Sequence, residues 1–241
     1  MSITYKRNGK LFLIPTSIEQ EFNNDFLLEA DKKKLKKIKN FIVESPKVAR
    51  KALKKISLEE TIQDLNIMEH SKKFSFESID AYFKPIFDGF DLGLLSDSQG
   101  TPCIADPGAK IVSKAHELKI EVVPLVGPSS IILGLMASGF NGQNFCFHGY
   151  VPIQENKKNE FFKQIQIDIK KKQETQIFIE TPYRNNKLLD DILKLNNQSL
   201  RLCIAINLTG NDQSIHMGTI KEWHKKKMPE LDKKLCVFLI N

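Results

Sequence analysis

The sequence predicts an α/β protein, and three observations carry that expectation. Residues 91–139 read as strand, loop, helix, strand, tight turn and helix. Leu92, Leu94 and Leu95 belong to an apolar run too short for a helix, Ile111, Val112, Ala115 and Leu118 recur at helical spacing, and residues 121–126 are apolar and rich in β-branched side chains. Between them, residues 96–108 carry Gly100, Pro102, Pro107 and Gly108, which exclude a regular element. Strand, crossover helix and strand within about 35 residues form a βαβ unit, with parallel strands and a right-handed connection. Its two polar loops, 96–108 and 127–130, then leave the carboxyl ends of their strands, the edge at which open α/β sheets bind ligands.

Gly127-Pro128-Ser129-Ser130 opens a helix, so its free N–H groups and hydroxyls are donors for a ligand. The same residues also serve simply to turn the chain and cap the helix. No glycine loop is followed by Lys-Ser or Lys-Thr, and no G-x-G-x-x-G follows a strand, which argues against triphosphate and dinucleotide sites.

The chain has 241 residues, enough for one large domain or two small ones, and is 41% hydrophobic and 27% charged, which suits a packed core. No apolar run approaches the length of a membrane span, and MSITYKRNGK lacks a signal-peptide core, so a soluble, cytoplasmic protein is expected. Cys103, Cys146, Cys203 and Cys236 are widely spaced in or beside apolar runs, as buried reduced thiols are; no ligand cluster for a metal is visible. The net charge of +7 points to nucleic acid. Yet 32 of the 36 basic residues are Lys and only Arg7, Arg50, Arg184 and Arg201 are Arg, an excess that codon bias alone produces. The Arg residues are more informative, because Lys cannot replace a planar fork. Arg50 and Arg184 are expected on loops at the binding edge, while Arg201 opens a strand and Arg7 lies in a terminal tail.

Taken in order, residues 10–14 (KLFLI) form the first strand and end at Pro15-Thr16. Residues 31–40 set Leu35 and Ile38 against a basic helix face, solvated or touching RNA phosphate. Phe41-Ile42-Val43 is a strand, after which Ser45 caps a helix with Pro46 in its first turn. Residues 57–75 carry no clear signal, and Ile79, Tyr82, Phe83 and Ile86 have helical spacing. Near Leu125-Val126 the chain crosses from a first domain, 1–125, to a second, 126–241. There follow a helix at 131–137, strands beginning at 145–148 (FCFH), an exposed Lys/Gln-rich helix within 155–175, a strand at 176–180, a helix bearing Leu188, Leu189, Ile192, Leu193 and Leu195, and strands at 202–206 and 236–240. His148 reads as a core or edge residue of its strand rather than as a base.

The ordered set LLSDSQGTPCIADPG, VVPLVGPSS, ASGF, HGYVP and ETPYR, within residues 10–240, resembles the tetrapyrrole-methylase family of S-adenosylmethionine-dependent methyltransferases. It is most similar to the branch that methylates a cytidine ribose 2′-hydroxyl in small-subunit ribosomal RNA. The resemblance implies two α/β domains, the first with a mainly parallel sheet and the second with a mixed sheet, and S-adenosylmethionine in the cleft between them. It implies cofactor contacts at Pro15, Gly100, Thr101, Pro102, Ile104, Ser129, Ser130, Thr181, Pro182 and Asn207, with Pro15, Gly100, Thr101, Pro102, Ser129, Ser130, Thr181 and Pro182 expected together on one sheet edge. It also implies a homodimer, with ribosomal RNA as substrate.

The chain departs from that branch in three places. Ser17-Ile18-Glu19-Gln20 stands where the branch has Gly-Asn, Glu44 and Arg50 remain where it has an acidic residue and Asp-Thr-Arg, and the loop 96–102 is one residue longer. Glu44 is the candidate base for a ribose hydroxyl proton, and a helix-start contact accounts for it equally; Arg50 and Arg184 are the candidates for guiding phosphate. A tetrapyrrole, small-molecule or protein methyltransferase and a non-catalytic RNA-binding paralogue stay open beside the RNA enzyme.

Overall fold

A computed structural model describes residues 9–19, 24–56, 58–70, 80–96 and 100–241. The chain divides into two compact units, Met1–Pro128 and Ser129–Asn241. Asp97, Ser98 and Gln99 of the lengthened loop, together with Gln20, Ile79 and Arg7, lie outside the described residues.

The first unit contains β1 (Leu11–Ile14), α1 (Glu29–Leu35), β2 (Asn40–Val43), α2 (Pro46–Leu53), β3 (Asn66–Glu69), a 3-10 turn (Asp80–Phe83) running into α3 (Lys84–Phe87), β4 (Leu92–Leu95), α4 (Gly108–Glu117) and β5 (Val122–Pro124). The strand order is β3-β2-β4-β1-β5 and every pairing is parallel. β4 and β5 therefore flank β1, and α4 carries the chain across it. Successive residues of a strand face opposite sides. Phe12, Ile14, Phe41 and Val43 join one apolar layer with Leu35 and Leu53, while Leu11, Ile42, Leu92 and Leu94 join another with Phe83 and Ile111. A parallel sheet needs this double cover, and the unbroken burial of β4 shows it.

The second unit contains α5 (Ser130–Ser138), β6 (Phe145–Tyr150), α6 (Glu155–Lys172), β7 (Thr175–Ile179), a 3-10 turn (Pro182–Arg184), α7 (Asn185–Leu193), β8 (Arg201–Ile206), β9 (Ser214–Thr219), α8 (Ile220–Trp223) and β10 (Cys236–Ile240). Its order is β6-β7-β10-β8-β9; β6 pairs parallel with β7 and the other pairings are antiparallel, so this sheet is mixed. Phe178 and Phe238 stack at 6.0 Å between ring centroids in its core. The buried Trp223 indole donates to the Leu202 carbonyl at 3.1 Å, so its polar edge is satisfied as its ring fills the core.

The parallel first sheet and mixed second sheet are those the sequence predicts. Three expectations need correction. The helix expected at 31–40 is α1, which ends at Leu35, and Asn40 already belongs to β2. Ile38 is fully buried in the turn between them, where its N–H donates to the Leu35 carbonyl at 3.0 Å, so its apolar spacing from Leu35 mimicked a longer helix. Arg50 lies inside α2 and not on a loop. The expected cofactor residues fall on the edges of two sheets, not one.

Candidate active-site edges

In the first unit all five strands point their carboxyl ends the same way, and the segments that leave them are tied together. Thr16 donates its N–H to the Gly100 carbonyl at 2.9 Å, and Gly100 returns its own N–H to Thr16 Oγ1 at 3.2 Å. Thr101 Oγ1 donates to the Pro128 carbonyl at 3.0 Å. The exits of β1, β4 and β5 are thus held by three hydrogen bonds, and Pro15, Gly100 and Thr101 are brought together. Backbone runs close here. Gly100 sits at φ +104°, and a Cβ on it would meet the Pro128 carbonyl oxygen at 2.9 Å; a Cβ on Gly127 would overlap the Pro15 ring. Pro102 is buried, while Ile104 is exposed between Cys103 and Ala105, both in the left-handed region at φ 68° and 62°. A shallow recess beside β1 is lined by Pro15, Thr16, Ser17, Phe26, Ala52 and Leu95.

Glu44 directly follows β2, and its Oε1 accepts a hydrogen bond from Ser96 Oγ, directly after β4, at 2.7 Å. Ser45 caps α2, its Oγ accepting from the Val48 N–H at 3.5 Å, with Pro46 opening the helix as expected. Glu44 therefore stands at the sheet edge beside the helix start, whereas Arg50 is exposed further along α2. The structure adds His70, which the sequence reading passed over. It is 2% exposed and directly follows β3, with its N–H donating to the Val43 carbonyl at 2.8 Å. Burial holds its imidazole below the ordinary histidine range, while the charges of Glu44, Asp106 and Glu69 pull the other way.

In the second unit β10 runs antiparallel to both β7 and β8, so β7 and β8 release their chains at the same edge. From β7 comes Glu180, whose side chain is 7% exposed and accepts from the Thr181 N–H at 2.6 Å and from Arg184 Nη2 at 2.5 Å. Thr181, Pro182 and Arg184 are thereby wrapped around one carboxylate. Among the described residues the buried Arg184 Nε finds no partner. Asn207 leaves β8 in the left-handed region at φ 46°, and its side chain is committed to the turn: Nδ2 donates to Asp212 Oδ2 at 2.7 Å and Oδ1 accepts from the Leu235 N–H at 2.9 Å. Ser129 caps α5, its Oγ accepting from the Ile132 N–H at 3.5 Å, and Ser130 is the first helical residue. Beside the Arg184 turn lies a recess bounded by Val151, Ile153, Lys158, Glu180, Arg184 and Asp191.

His148 is on the edge strand β6, with Nε2 2.6 Å from Gln176 Oε1 and its ring edge-on to Phe161, consistent with a strand residue. All four cysteines are free; burial pushes the Cys103 and Cys236 thiols up to about 12 and Cys203 to about 11, so they stay protonated at neutral pH. Among the described residues no cluster of metal-ligating side chains occurs, and no helix is long and apolar enough to cross a membrane.

No family model matches the chain. A curated relative from Bacillus subtilis (strain 168), ribosomal RNA small subunit methyltransferase I, is 30% identical over 214 residues, covering 89% of this chain and 68% of that protein. The chain belongs to the ribosomal RNA small subunit methyltransferase I family. A relative of the same name from Escherichia coli O157:H7 is 33% identical over 142 residues, 58% of this chain and 48% of that protein. The chain spans about half the length of the first curated relatives it matches. Among solved structures, the methyltransferase CobJ has a TM-score of 0.62 at 14% identity, covering 97% of this chain and 94% of that one. Cobalt precorrin-4 methyltransferase also has a TM-score of 0.62, at 12% identity over 96% of this chain and 94% of that one. Diphthine synthase gives 0.62 at 12% identity, over 95% of this chain and 88% of that one. These likenesses show the fold, which this family member shares with methyltransferases.

Proposed function

We propose that the chain is an S-adenosylmethionine-dependent methyltransferase that modifies a ribose 2′-hydroxyl of small-subunit ribosomal RNA, as a homodimer in the cytoplasm. The observation that carries this reading is the carboxyl edge of the first sheet, where three tied, backbone-lined loops lie beside a carboxylate held by a serine hydroxyl. Family membership gives the reaction class. The fit to the cofactor rests on the absence of room for side chains at Gly100 and Gly127, which leaves main-chain carbonyls and N–H groups to face a zwitterionic, sulfonium-bearing molecule. Pro15, Gly100, Thr101, Pro102, Ile104, Ser129, Ser130, Thr181, Pro182 and Asn207 are the residues proposed to contact it.

The bound cofactor supplies an electrophilic methyl group on sulfur, and the protein supplies orientation and exclusion of water. Glu44, whose carboxylate accepts a hydrogen bond from Ser96, would take the proton of the acceptor hydroxyl. Arg184 and Arg50 guide acceptor phosphate.

The test combines calorimetry with labelled methyl transfer to a panel of small ribosomal subunits, protein and tetrapyrrole acceptors. Binding well below millimolar cofactor and label in ribose are expected. No binding heat at millimolar cofactor overturns the cofactor reading, and label confined to protein or tetrapyrrole overturns the RNA reading. Sedimentation at the monomer mass of 27.6 kDa counts against the dimer.

A further inference from the structure

In a parallel sheet, residues paired in register lie side by side and turn their side chains to the same face. Val43 pairs with Glu69 of β3 and with Leu95 of β4, and Leu95 pairs with Ile14 of β1. One residue further on, His70, Glu44, Ser96 and Pro15 therefore form a single row across the carboxyl edge. The ladder between β3 and β2 continues into this row through the bond from the His70 N–H to the Val43 carbonyl, at 2.8 Å. Within the row, one pair is joined through side chains: Ser96 Oγ reaches Glu44 Oε1 at 2.7 Å. Adjacent strands lie about 4.8 Å apart, so Glu44 has the Ser96 position on one flank and the His70 position on the other.

We infer that His70 is a positioning residue for Glu44, holding the flank of its carboxylate opposite Ser96 so that it faces the acceptor hydroxyl. This rests on the proposed role of Glu44 as base. A carboxylate with one fixed flank still rotates, and a small misplacement of a proton acceptor lowers the rate steeply. An imidazole kept neutral by burial orients a carboxylate through one N–H without the full ion pair that would make it a weaker base. The other charged groups facing His70 are Asp106, from the loop after β4, and Glu69, on its own strand. Tyr82 Oη, from the turn before α3, is engaged with the Glu69 carbonyl at 2.9 Å.

The test is a double-mutant cycle in the full chain with His70→Ala and Glu44→Gln. It measures kcat for labelled methyl transfer to small ribosomal subunits across the neutral pH range, with cofactor affinity by calorimetry. His70→Ala is expected to lower kcat at least about tenfold, to shift the acid limb of the kcat profile, and to leave KM and cofactor affinity within about twofold. In the Glu44→Gln background the same change costs nothing further, and His70→Asn, which keeps an N–H donor, recovers part of the loss. Should His70→Ala not fold, His70→Asn carries the cycle. Additive losses, an unchanged kcat, or a loss of cofactor affinity as large as the loss of kcat overturns the positioning role while the methyltransferase reading stands. A parent that binds no cofactor and transfers no methyl overturns both.

Discussion

At the residue scale, Glu180 and Arg184 show how one short motif organises a turn. The nearly buried carboxylate accepts from its neighbour's N–H and from the guanidinium one helical turn on. Arg184→Lys keeps the charge but cannot reach with the same planar geometry. We expect it to cost about 1 kcal/mol in denaturant unfolding, below the usual range for a charge-assisted bond because the side chain is partly solvated. Methyl transfer should fall at least about tenfold as the turn loosens. Arg50→Lys, on the exposed face of α2, should change stability by no more than about 0.5 kcal/mol and, because it keeps the charge, leave the salt dependence of RNA binding unchanged. Equal effects of the two changes would remove the distinction. The Glu-x-Pro-x-Arg turn was legible because its residues are contiguous. His70 was not, because its place depends on register with two strands distant in sequence, and no local pattern marks it. Nor was the commitment of both ends of the Asn207 amide to Asp212 and Leu235.

At the element scale, legibility followed unbroken apolar runs. β4, β8 and β10 are apolar throughout or nearly so, and their runs were read correctly. β3 and β9 are edge strands of their sheets, with the sequences NIME and SIHMGT and mostly partial exposure, and neither announces itself. The exits of β1 and β5 give the sharpest test of the element contacts. Gly127→Ala drives a methyl group into the Pro15 ring, so β5 cannot leave the sheet along its present path. We expect a loss of about 1–3 kcal/mol in stability, as in overpacked sites, and cofactor affinity reduced at least about tenfold. Gly142→Ala, whose added methyl meets nothing within 4 Å, is the control and should stay within about 0.5 kcal/mol. A Gly127→Ala protein that melts and binds like the parent would show that the close approach has no bearing on the site.

At the scale of the whole molecule, ligand linkage tests whether both units serve one site. A cofactor present at a hundred times its dissociation constant stabilises the protein that binds it by about 2.7 kcal/mol. If Pro15 and Gly100 of the first unit and Thr181 and Asn207 of the second all contact it, calorimetric unfolding should move upward for both units. A shift confined to one transition would assign the ligand to one unit alone. The charge balance, by contrast, was a poor guide: a net +7 built from 32 Lys says little about where a polyanion lands. The ordered motifs said more, because each marks the exit of a strand. The lengthened loop after β4 has a practical consequence. Ser96 is pinned to Glu44 and Gly100 to Thr16, one anchor on each side of the three intervening residues. Each anchor can be released by itself: Ser96→Ala frees the Glu44 carboxylate while Gly100 keeps its bonds to Thr16, and Thr16→Val removes the bond to the Gly100 N–H while Ser96 stays on Glu44.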